Sequence, residues 1–323
     1  MTPSLFQPSP APAEVTSPSP PSSSLDPPET SVDPSSLSIY RAAVLAAFQA
    51  AGVSYSRRAN FEQCGQTAIV LRSRADPTLY KVAPCLCHDR FCPRCQTVRS
   101  ERVVANMKRR EPPSDLRFVT LTLRHNHDSL ARRVAFLRTA FRRLRARRDW
   151  KHHVTGGIAF LEISYDSAGH AWHPHFHCII SGGFFDQRLL ADNWLACTGD
   201  SSIVDIRRIR KPADALAYVT KYASAVPTAV VKDDPAALLE LVIATRSGRF
   251  VQPFGTWIKA KLLADPNDHA WTRIAWEAEI YLDPLLPHHV VLALIAAIEA
   301  WHRGSHDTLI HIPDIPPFVA DSS

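Results

Sequence analysis

The feature that most constrains the fold is the segment 172–180, in which histidines alternate with apolar residues. Side chains on a β-strand point alternately to its two faces, so His175 and His177 share one face and Phe176 points to the other. The pattern predicts a strand with one face in a core and one face carrying imidazoles. Two imidazoles about 6–7 Å apart at Cα can share one divalent ion. His173 has the same parity and is a further candidate ligand.

A carboxylate on the preceding predicted strand can complete this set. Glu162 lies in the apolar stretch 157–164, where an isolated acid is costly unless it is paired or bound to a metal. The link to the histidine strand is short for a crossover helix, so antiparallel pairing is expected. Two imidazoles and one carboxylate suit Mg²⁺ or Mn²⁺ acting on phosphate oxygens. The alternative is a surface strand that is simply rich in histidine.

Strands and helices are interleaved along the rest of the chain. They predict an α+β fold, in which helices flank an antiparallel sheet that has one polar face. The other predicted strands are 67–71, 117–123 and 203–210, and the predicted helices are 38–51, 97–110, 128–148 (capped by Asp128), 187–197, 212–224 and an apolar stretch over 285–301.

Two tyrosines lie four residues apart on the predicted helix 212–224. Tyr218 and Tyr222 therefore share one helix face. A tyrosine hydroxyl beside a divalent metal can attack a phosphodiester and keep the 5′-phosphate as a phosphotyrosine. Lys221 could balance the charge of that phosphate. Tyrosines at this spacing more often pack in a core. The catalytic interpretation of this pair therefore depends on the presence of the histidine strand in the same chain.

Five cysteines form a second candidate metal site. Cys92 and Cys95, with a proline between them, are typical of half of a tetrahedral Zn²⁺ site. The other half could be Cys64 with Cys87, or Cys64 with Cys85. The alternative is a set of free buried thiols.

Basic residues are concentrated in the segment 97–148. It holds fifteen Arg or Lys and four acids, a balance of +11, whereas the whole chain carries +6, so the remainder sums to −5. A segment of this charge favours a polyanion such as nucleic acid over a merely solvated helix face. The predicted DNA-binding residues are Arg132, Arg133, Arg138, Arg142, Arg143, Arg145, Arg147 and Arg148.

Together these motifs resemble the HUH endonuclease superfamily, and more closely the bacterial rolling-circle plasmid replication initiators of the Rep_1 type. Residues 118–123 are similar to the first motif of that family, and residues 173–177 to the second, metal-binding motif. Residues 218–222 are similar to the third motif, and by position the resemblance implies that Tyr222 is the nucleophile. Some members carry Glu where this chain has Tyr218, so Tyr218 is either a second nucleophile or a packing residue.

The resemblance also implies a set of cofactors and partners. Similar initiators show a cysteine spacing that selects Cys64, Cys87, Cys92 and Cys95 as ligands of a structural Zn²⁺ ion, with Cys85 and His88 in reserve. The catalytic ion would be Mg²⁺ or Mn²⁺. The expected partners are single-stranded and double-stranded DNA at an origin, with a host helicase and a host polymerase, and an oligomer is left open.

The chain is expected to divide into four parts. Residues 1–36 contain ten Pro and ten Ser and predict a disordered tail. Residues 37–110 would hold an N-terminal helix and the zinc module, residues 111–225 the HUH nuclease core, and residues 226–323 a partly helical region of unknown role. No apolar run approaches the roughly 20 residues of a membrane span, and no signal peptide is visible, so a bacterial cytoplasmic protein is expected.

Two alternative functions stay open at this point. A transposase or a mobilisation relaxase of the HUH superfamily would use the same nick for different biology. A zinc-stabilised DNA-binding regulator with a vestigial nuclease site belongs to another class, and the presence of a candidate residue for each nuclease role argues against it.

Overall fold

A computed structural model describes residues 34–109, 115–211, 215, 234–258, 271–280, 286–304 and 309–313. Its strands are β1 (Ala68–Ser73), β2 (Leu79–Pro84), β3 (Leu116–Thr122), β4 (Val154–Asp166), β5 (Ala171–Gly182), β6 (Val204–Arg208), β7 (Val251–Gly255), β8 (Trp271–Trp276) and β9 (Leu309–His311). Its helices are α1 (Pro34–Ala50), α2 (Tyr55–Glu62), α3 (Pro93–Lys108), α4 (Leu130–Ala146), α5 (Arg148–His153), α6 (Gln187–Thr198), α7 (Pro235–Ala244), α8 (Glu277–Ile280) and α9 (His288–His302).

The larger sheet has five strands in the order β6-β3-β5-β4-β7, and every neighbouring pair is antiparallel. The histidine strand β5 is therefore central. Glu162 on β4 lies directly opposite His175, and Thr122 on β3 lies opposite it on the other side. The prediction of an α+β fold with an antiparallel sheet flanked by helices is confirmed.

One face of this sheet packs into the main core. Phe176 on β5 contacts Phe141 of α4, with ring centroids 4.8 Å apart. Apolar residues recur along α4 at spacings of four and three residues, a sequence pattern that predicts one buried helix face. All of them are buried; they are Leu130, Val134, Leu137, Phe141 and Leu144. Glu240 of α7 links α4 to β5. Its two carboxylate oxygens accept hydrogen bonds from the Leu130 N–H (2.7 Å) and the Trp172 indole (2.8 Å).

The fully buried Leu137 offers a test of this packing. We expect Leu137→Ala to lower the free energy of unfolding by about 2–5 kcal/mol, because it removes buried methyl groups and leaves a cavity. Arg142→Ala on the exposed side of the same helix should change it by no more than about 0.5 kcal/mol. Denaturant unfolding measures both, and equal losses would contradict the packing of α4.

The opposite face of the sheet differs from the prediction of a polar face. It is polar around His175 and His177, but farther along it Ile158, Phe160 and Ile179 form a separate apolar cluster. Side chains from α3 and from the turn after β7 cover that end; they are Val103, Val104, Met107 and Trp257. The sequence could not show this division, because the covering helix comes from a distant part of the chain.

A smaller sheet has four strands in the order β8-β1-β2-β9. Its core includes Val70, Val82, Leu294 and Ile298, so α9 packs on it. The described parts of region 226–323 therefore serve both sheets: β7 extends the larger one, whereas β8 and β9 extend the smaller one. Within the described ranges, no helix combines the length and the apolar character that crossing a bilayer requires.

The arginine helix also differs from its predicted bounds. It begins at Leu130 with Ser129 as N-cap, where Asp128 was predicted to cap it. It ends at Ala146 because Arg147 is extended (φ −68°, ψ 151°), and α5 follows in a new direction. This break buries Trp150 beside Phe141, with ring centroids 6.0 Å apart, and apolar burial offsets the lost helical hydrogen bonds.

Candidate active site and cysteine cluster

The structure brings the predicted His and Glu residues together on the polar part of the sheet face. The Glu162 carboxylate oxygen Oε2 lies 2.6 Å from Nε2 of His177 and 3.7 Å from Nε2 of His175. The two imidazole centroids are 5.8 Å apart. This arrangement follows from the register, because Glu162 is the cross-strand neighbour of His175 and the diagonal neighbour of His177.

Neighbouring hydroxyl groups orient both imidazoles. Thr120 Oγ1 lies 3.3 Å from Nδ1 of His177, and Ser164 Oγ lies 3.3 Å from Nε2 of His175. Burial lowers the pKa of His175 to about 4, although the charge of Glu162 opposes the shift. His175 is therefore neutral near pH 7, which is the form in which imidazole binds a metal.

The imidazole and carboxylate groups of this set are ligands that divalent metals accept, but the distances between them differ from those around a bound ion. Ligands of an octahedral ion with bonds of 2.0–2.1 Å lie about 3 Å apart. His177 and Glu162 are closer than that, and His175 is farther away. One shared ion would require the carboxylate to move from His177 toward His175.

Three further histidines extend this surface beyond the pair. His173 stacks on His125 with ring centroids 4.9 Å apart, and His125 lies 5.0 Å from His127. Burial and the neighbouring His125 lower the pKa of His173. Sequence reasoning missed His125 and His127. Their signal was a His-x-His pair directly after β3, whose last residue Thr122 lies opposite His175.

The predicted tyrosine motif lies outside the described residues. This applies to Tyr218, Lys221 and Tyr222, which stay predictions. Ala215, three residues before Tyr218, is described, and it is buried in the apolar cluster that contains Phe160. That cluster is on the same sheet face as His177.

The cysteine cluster is the tightest candidate metal site. The Sγ atoms of Cys64, Cys87, Cys92 and Cys95 all lie within 4.8 Å of one another. Among the described residues, it is the one group of three or more His, Cys, Asp or Glu side chains that meets this limit. Three Sγ pairs are separated by 3.5–3.6 Å, close to the roughly 3.8 Å expected around a tetrahedral Zn²⁺ ion. The reserve ligand Cys85 is not in this group.

The local backbone stabilises negative charge on the sulfur atoms of this cluster. Cys92 is the N-cap of α3, where the helix dipole favours a thiolate. The hydrogen bond between the two thiols lowers the pKa of Cys92 to about 5 and raises the pKa of Cys87, so this contact favours the thiolate at Cys92. Backbone N–H groups also donate to sulfur, from Cys87 to Cys64 (3.3 Å) and from Asp89 to Cys87 (3.4 Å). The four residues can hold a metal, and the identity of that metal stays a prediction.

The predicted DNA-binding arginines do not form one exposed surface. Helix α4 packs on the core face of the sheet, opposite the histidines. Arg133 differs most from the prediction: its exposed fraction is 2%, and it donates hydrogen bonds to Asn126 and to the Arg124 carbonyl. A guanidinium enclosed in this way is not presented to DNA.

Four more arginines of the predicted set contact the protein itself. Arg138 donates to backbone carbonyls after α7, Arg143 to the Cys197 carbonyl and Arg147 to the Asn193 side chain. Arg145 lies over the ring of Phe141, 4.8 Å from its centroid. Arg143 and Arg147 are exposed despite these contacts, as are the remaining three members, Arg132, Arg142 and Arg148. Sequence composition shows the charge of such a helix but not which guanidinium groups its neighbours will bind.

The Rep_1 family model, described as replication protein, matches residues 79–274, which is more than half of the chain. The chain belongs to this family. The matched Rep_1 segment includes the His and Glu residues of the larger sheet and the cysteines Cys87, Cys92 and Cys95, whereas Cys64 precedes it. The resemblance to Rep_1-type plasmid replication proteins is confirmed.

Two curated relatives carry the name Protein rep. The relative from Streptococcus pneumoniae serotype 2 (strain D39 / NCTC 7466) is 26% identical over 127 residues, which span 37% of this chain and 39% of the relative. The relative from Staphylococcus aureus is 26% identical over 164 residues, which span 45% of this chain and 71% of the relative. No solved structure matches this Rep_1 chain.

Proposed function

We propose that this Rep_1 protein initiates rolling-circle plasmid replication by nicking one DNA strand at an origin. The observation that carries the proposal is the cluster of His175, His177 and Glu162 on one face of the central strands, in which Glu162 is hydrogen-bonded to His177 and lies 3.7 Å from His175. Membership of the replication protein family supports the same assignment. The buried position of Ala215 on that face supports placing the tyrosine motif nearby.

In the proposed reaction, the hydroxyl oxygen of Tyr222 attacks the phosphorus of one phosphodiester. A bond forms between that oxygen and phosphorus, the bond from phosphorus to the 3′-oxygen breaks, and the tyrosine proton passes to solvent. The phosphate stays on the 5′ end as a phosphotyrosine diester. The released 3′-oxygen takes up a proton and can prime a host polymerase. Lys221 would offset charge on the phosphate.

A divalent ion has a defined place in this proposal. His175, His177 and Glu162 would hold Mg²⁺ or Mn²⁺, with His173 next to them, and when bound the ion polarises a phosphate oxygen. The cysteine set Cys64, Cys87, Cys92 and Cys95 would hold a structural Zn²⁺ ion.

The proposal extends to domain organisation and partners. Residues 111–225 would form the HUH-type nuclease core, preceded by the tail 1–36 and the zinc module 37–110, with 226–323 as an added region. The protein would act in the bacterial cytoplasm on single-stranded and double-stranded origin DNA, together with a host helicase and polymerase.

The metal set can be tested on DNA cleavage. We expect His175→Ala to lower the rate of adduct formation on a single-stranded origin oligonucleotide by about 100-fold. Mutating a residue that merely supports a metal ligand typically lowers activity by about 10–100-fold, and loss of a ligand itself should cost at least as much. The exposed His152 on α5 supplies the control, and His152→Ala should keep the wild-type rate. Denaturing gels with Mn²⁺ or Mg²⁺ measure both rates. If the His175→Ala variant cleaves at the wild-type rate, or if the wild type cleaves fully in excess chelator, the site is not metal-dependent.

A further inference from the structure

A second basic surface lies outside the arginine helix α4. A cleft of about 500 Å³ opens between the cysteine cluster and the segment that precedes β7. Among the described residues that line it, the one carboxylate is Asp89, which is already bound to Arg57 at 2.6 Å. The basic side chains that define this arginine cleft are Arg57, Arg90, Arg99, Arg246 and Arg249.

The positive charge of this cleft is not balanced within the described part of the chain. Arg90 packs over the ring of Phe250, 4.8 Å from its centroid, and its Nη1 atom is buried without a hydrogen-bond partner there. The Nη2 atom of Arg90 donates to the Gly248 carbonyl at 3.3 Å, so Nη1 is the part of this guanidinium that lacks a partner. A buried N–H without a partner is costly, so a bound anion that accepts from Nη1 would stabilise this arrangement.

The arginine cleft lies beside the candidate active site. Val251 on β7 pairs with Phe160 on β4, and the Phe250 carbonyl accepts from the Leu161 N–H at 2.8 Å. Arg249 directly precedes Phe250 in the turn before β7, so it follows the last hydrogen bond of this pair. Because β7, β4 and β5 are consecutive strands, about 10 Å separates the end of β7 from the histidine strand.

We propose that the arginine cleft binds the phosphodiester backbone of the DNA strand that is being cut, next to the scissile phosphate. The planar guanidinium matches phosphate oxygens in a bidentate geometry. Arg57 is paired with Asp89 and Arg99 donates to the His88 carbonyl, so the exposed Arg246 and Arg249 are the groups that would bind successive phosphates. Such contacts hold and orient a strand without reading its bases. The inference rests on the proposed function and assigns the surface that positions its substrate.

Arg246 and Arg249 are the variants of choice, because both side chains are exposed in the turn after α7. The double variant Arg246→Ala/Arg249→Ala is compared with Arg188→Ala/Arg303→Ala, which removes the same charge from exposed positions in α6 and after α9. Equal thermal unfolding temperatures show that both are folded. The probe is a fluorescent oligothymidine, whose binding is followed by anisotropy over a range of NaCl concentrations and does not depend on cleavage.

We expect the cleft variant to bind oligothymidine about tenfold more weakly, in line with the loss of charge-assisted hydrogen bonds. Its plot of log affinity against log salt should be less steep by about 1.4, that is 0.7 for each lost phosphate contact on a single strand. In adduct formation on an origin oligonucleotide, its KM should rise while kcat stays unchanged. The control variant should match the wild type in all three measurements.

The possible results separate this inference from the proposed function. If the variant binds like the control while the wild type forms the adduct, the cleft proposal is overturned and the nuclease stands. If oligothymidine binding depends on the cleft but no adduct forms, the cleft proposal stands and the nuclease fails. If inorganic tripolyphosphate binds the wild type as tightly as the oligonucleotide does, and oligothymidine binding is unchanged in the variant, the cleft binds a small polyanion and the DNA proposal is wrong.

Discussion

Replacing Tyr222 by phenylalanine should abolish the covalent protein–DNA adduct. The change removes the attacking oxygen and keeps the aromatic ring, so the nucleophile is lost with the smallest change in side-chain shape. Loss of a nucleophile that acts together with its partners lowers rates by about 10⁴-fold or more. The measurement uses single-stranded oligonucleotides tiled across the replicon that encodes the protein, with Mn²⁺ or Mg²⁺, on a denaturing gel.

Tyr218→Phe is the matched control, since it makes the same change four residues earlier in the sequence. It should retain the first adduct. If it also fails to rejoin the cut strand, Tyr218 is the second nucleophile of a two-tyrosine exchange. An adduct that survives Tyr222→Phe and is lost in Tyr218→Phe would reverse the assignment within the motif. Absence of any adduct alongside intact DNA binding would favour a DNA-binding regulator.

Loss of one cysteine ligand should have the largest effect on stability. We expect Cys92→Ser to reduce the bound metal from one ion per chain to less than half, because the cluster offers four ligands and the described residues supply no fifth one within 4.8 Å. The free energy of unfolding should fall by about 3 kcal/mol or more, equivalent to roughly 6–12 °C in Tm. Elemental analysis of the purified protein and thermal unfolding measure the two effects.

Cys85→Ser is the control for this prediction. Cys85 is partly exposed and lies outside the cluster, although it is two residues from Cys87. The variant should keep one ion per chain and a near wild-type Tm. Metal loss in Cys85→Ser, or full occupancy in Cys92→Ser, would show that the ligand set is wrong. A wild-type protein that is purified and refolded without metal at unchanged Tm would favour free buried thiols.

Local patterns in the sequence predicted the centre of the larger sheet correctly. Alternation placed His175 and His177 on one face and Phe176 on the other, and the short link predicted the antiparallel β4–β5 pair. The apolar stripe of α4 was also correct. These features depend on periodicity and short connections, which are properties of neighbouring residues.

Features that depend on distant residues were not predicted. Pro253 lies within β7, which is tolerated because β7 is an edge strand, and no local pattern reveals which strand it joins. The burial of Arg133 has a different cause, because its partners Asn126 and Arg124 are near in sequence but lie in an irregular segment, whose path no periodic pattern predicts. His125 escaped notice because its proximity to His173 arises only when β3 pairs with β5.

The order of strands in the smaller sheet has a consequence during protein synthesis. β1 lies between β2 and β8, and Ile69 is opposite Trp276. At 5–20 residues per second, a ribosome needs roughly 10–40 s to travel from one to the other. During that interval the outer edge of β1 has no partner strand, and an unpaired edge promotes association between chains. Nascent chains that stall before Trp271 are therefore expected to aggregate more readily than the completed chain, and slow translation prolongs their exposure.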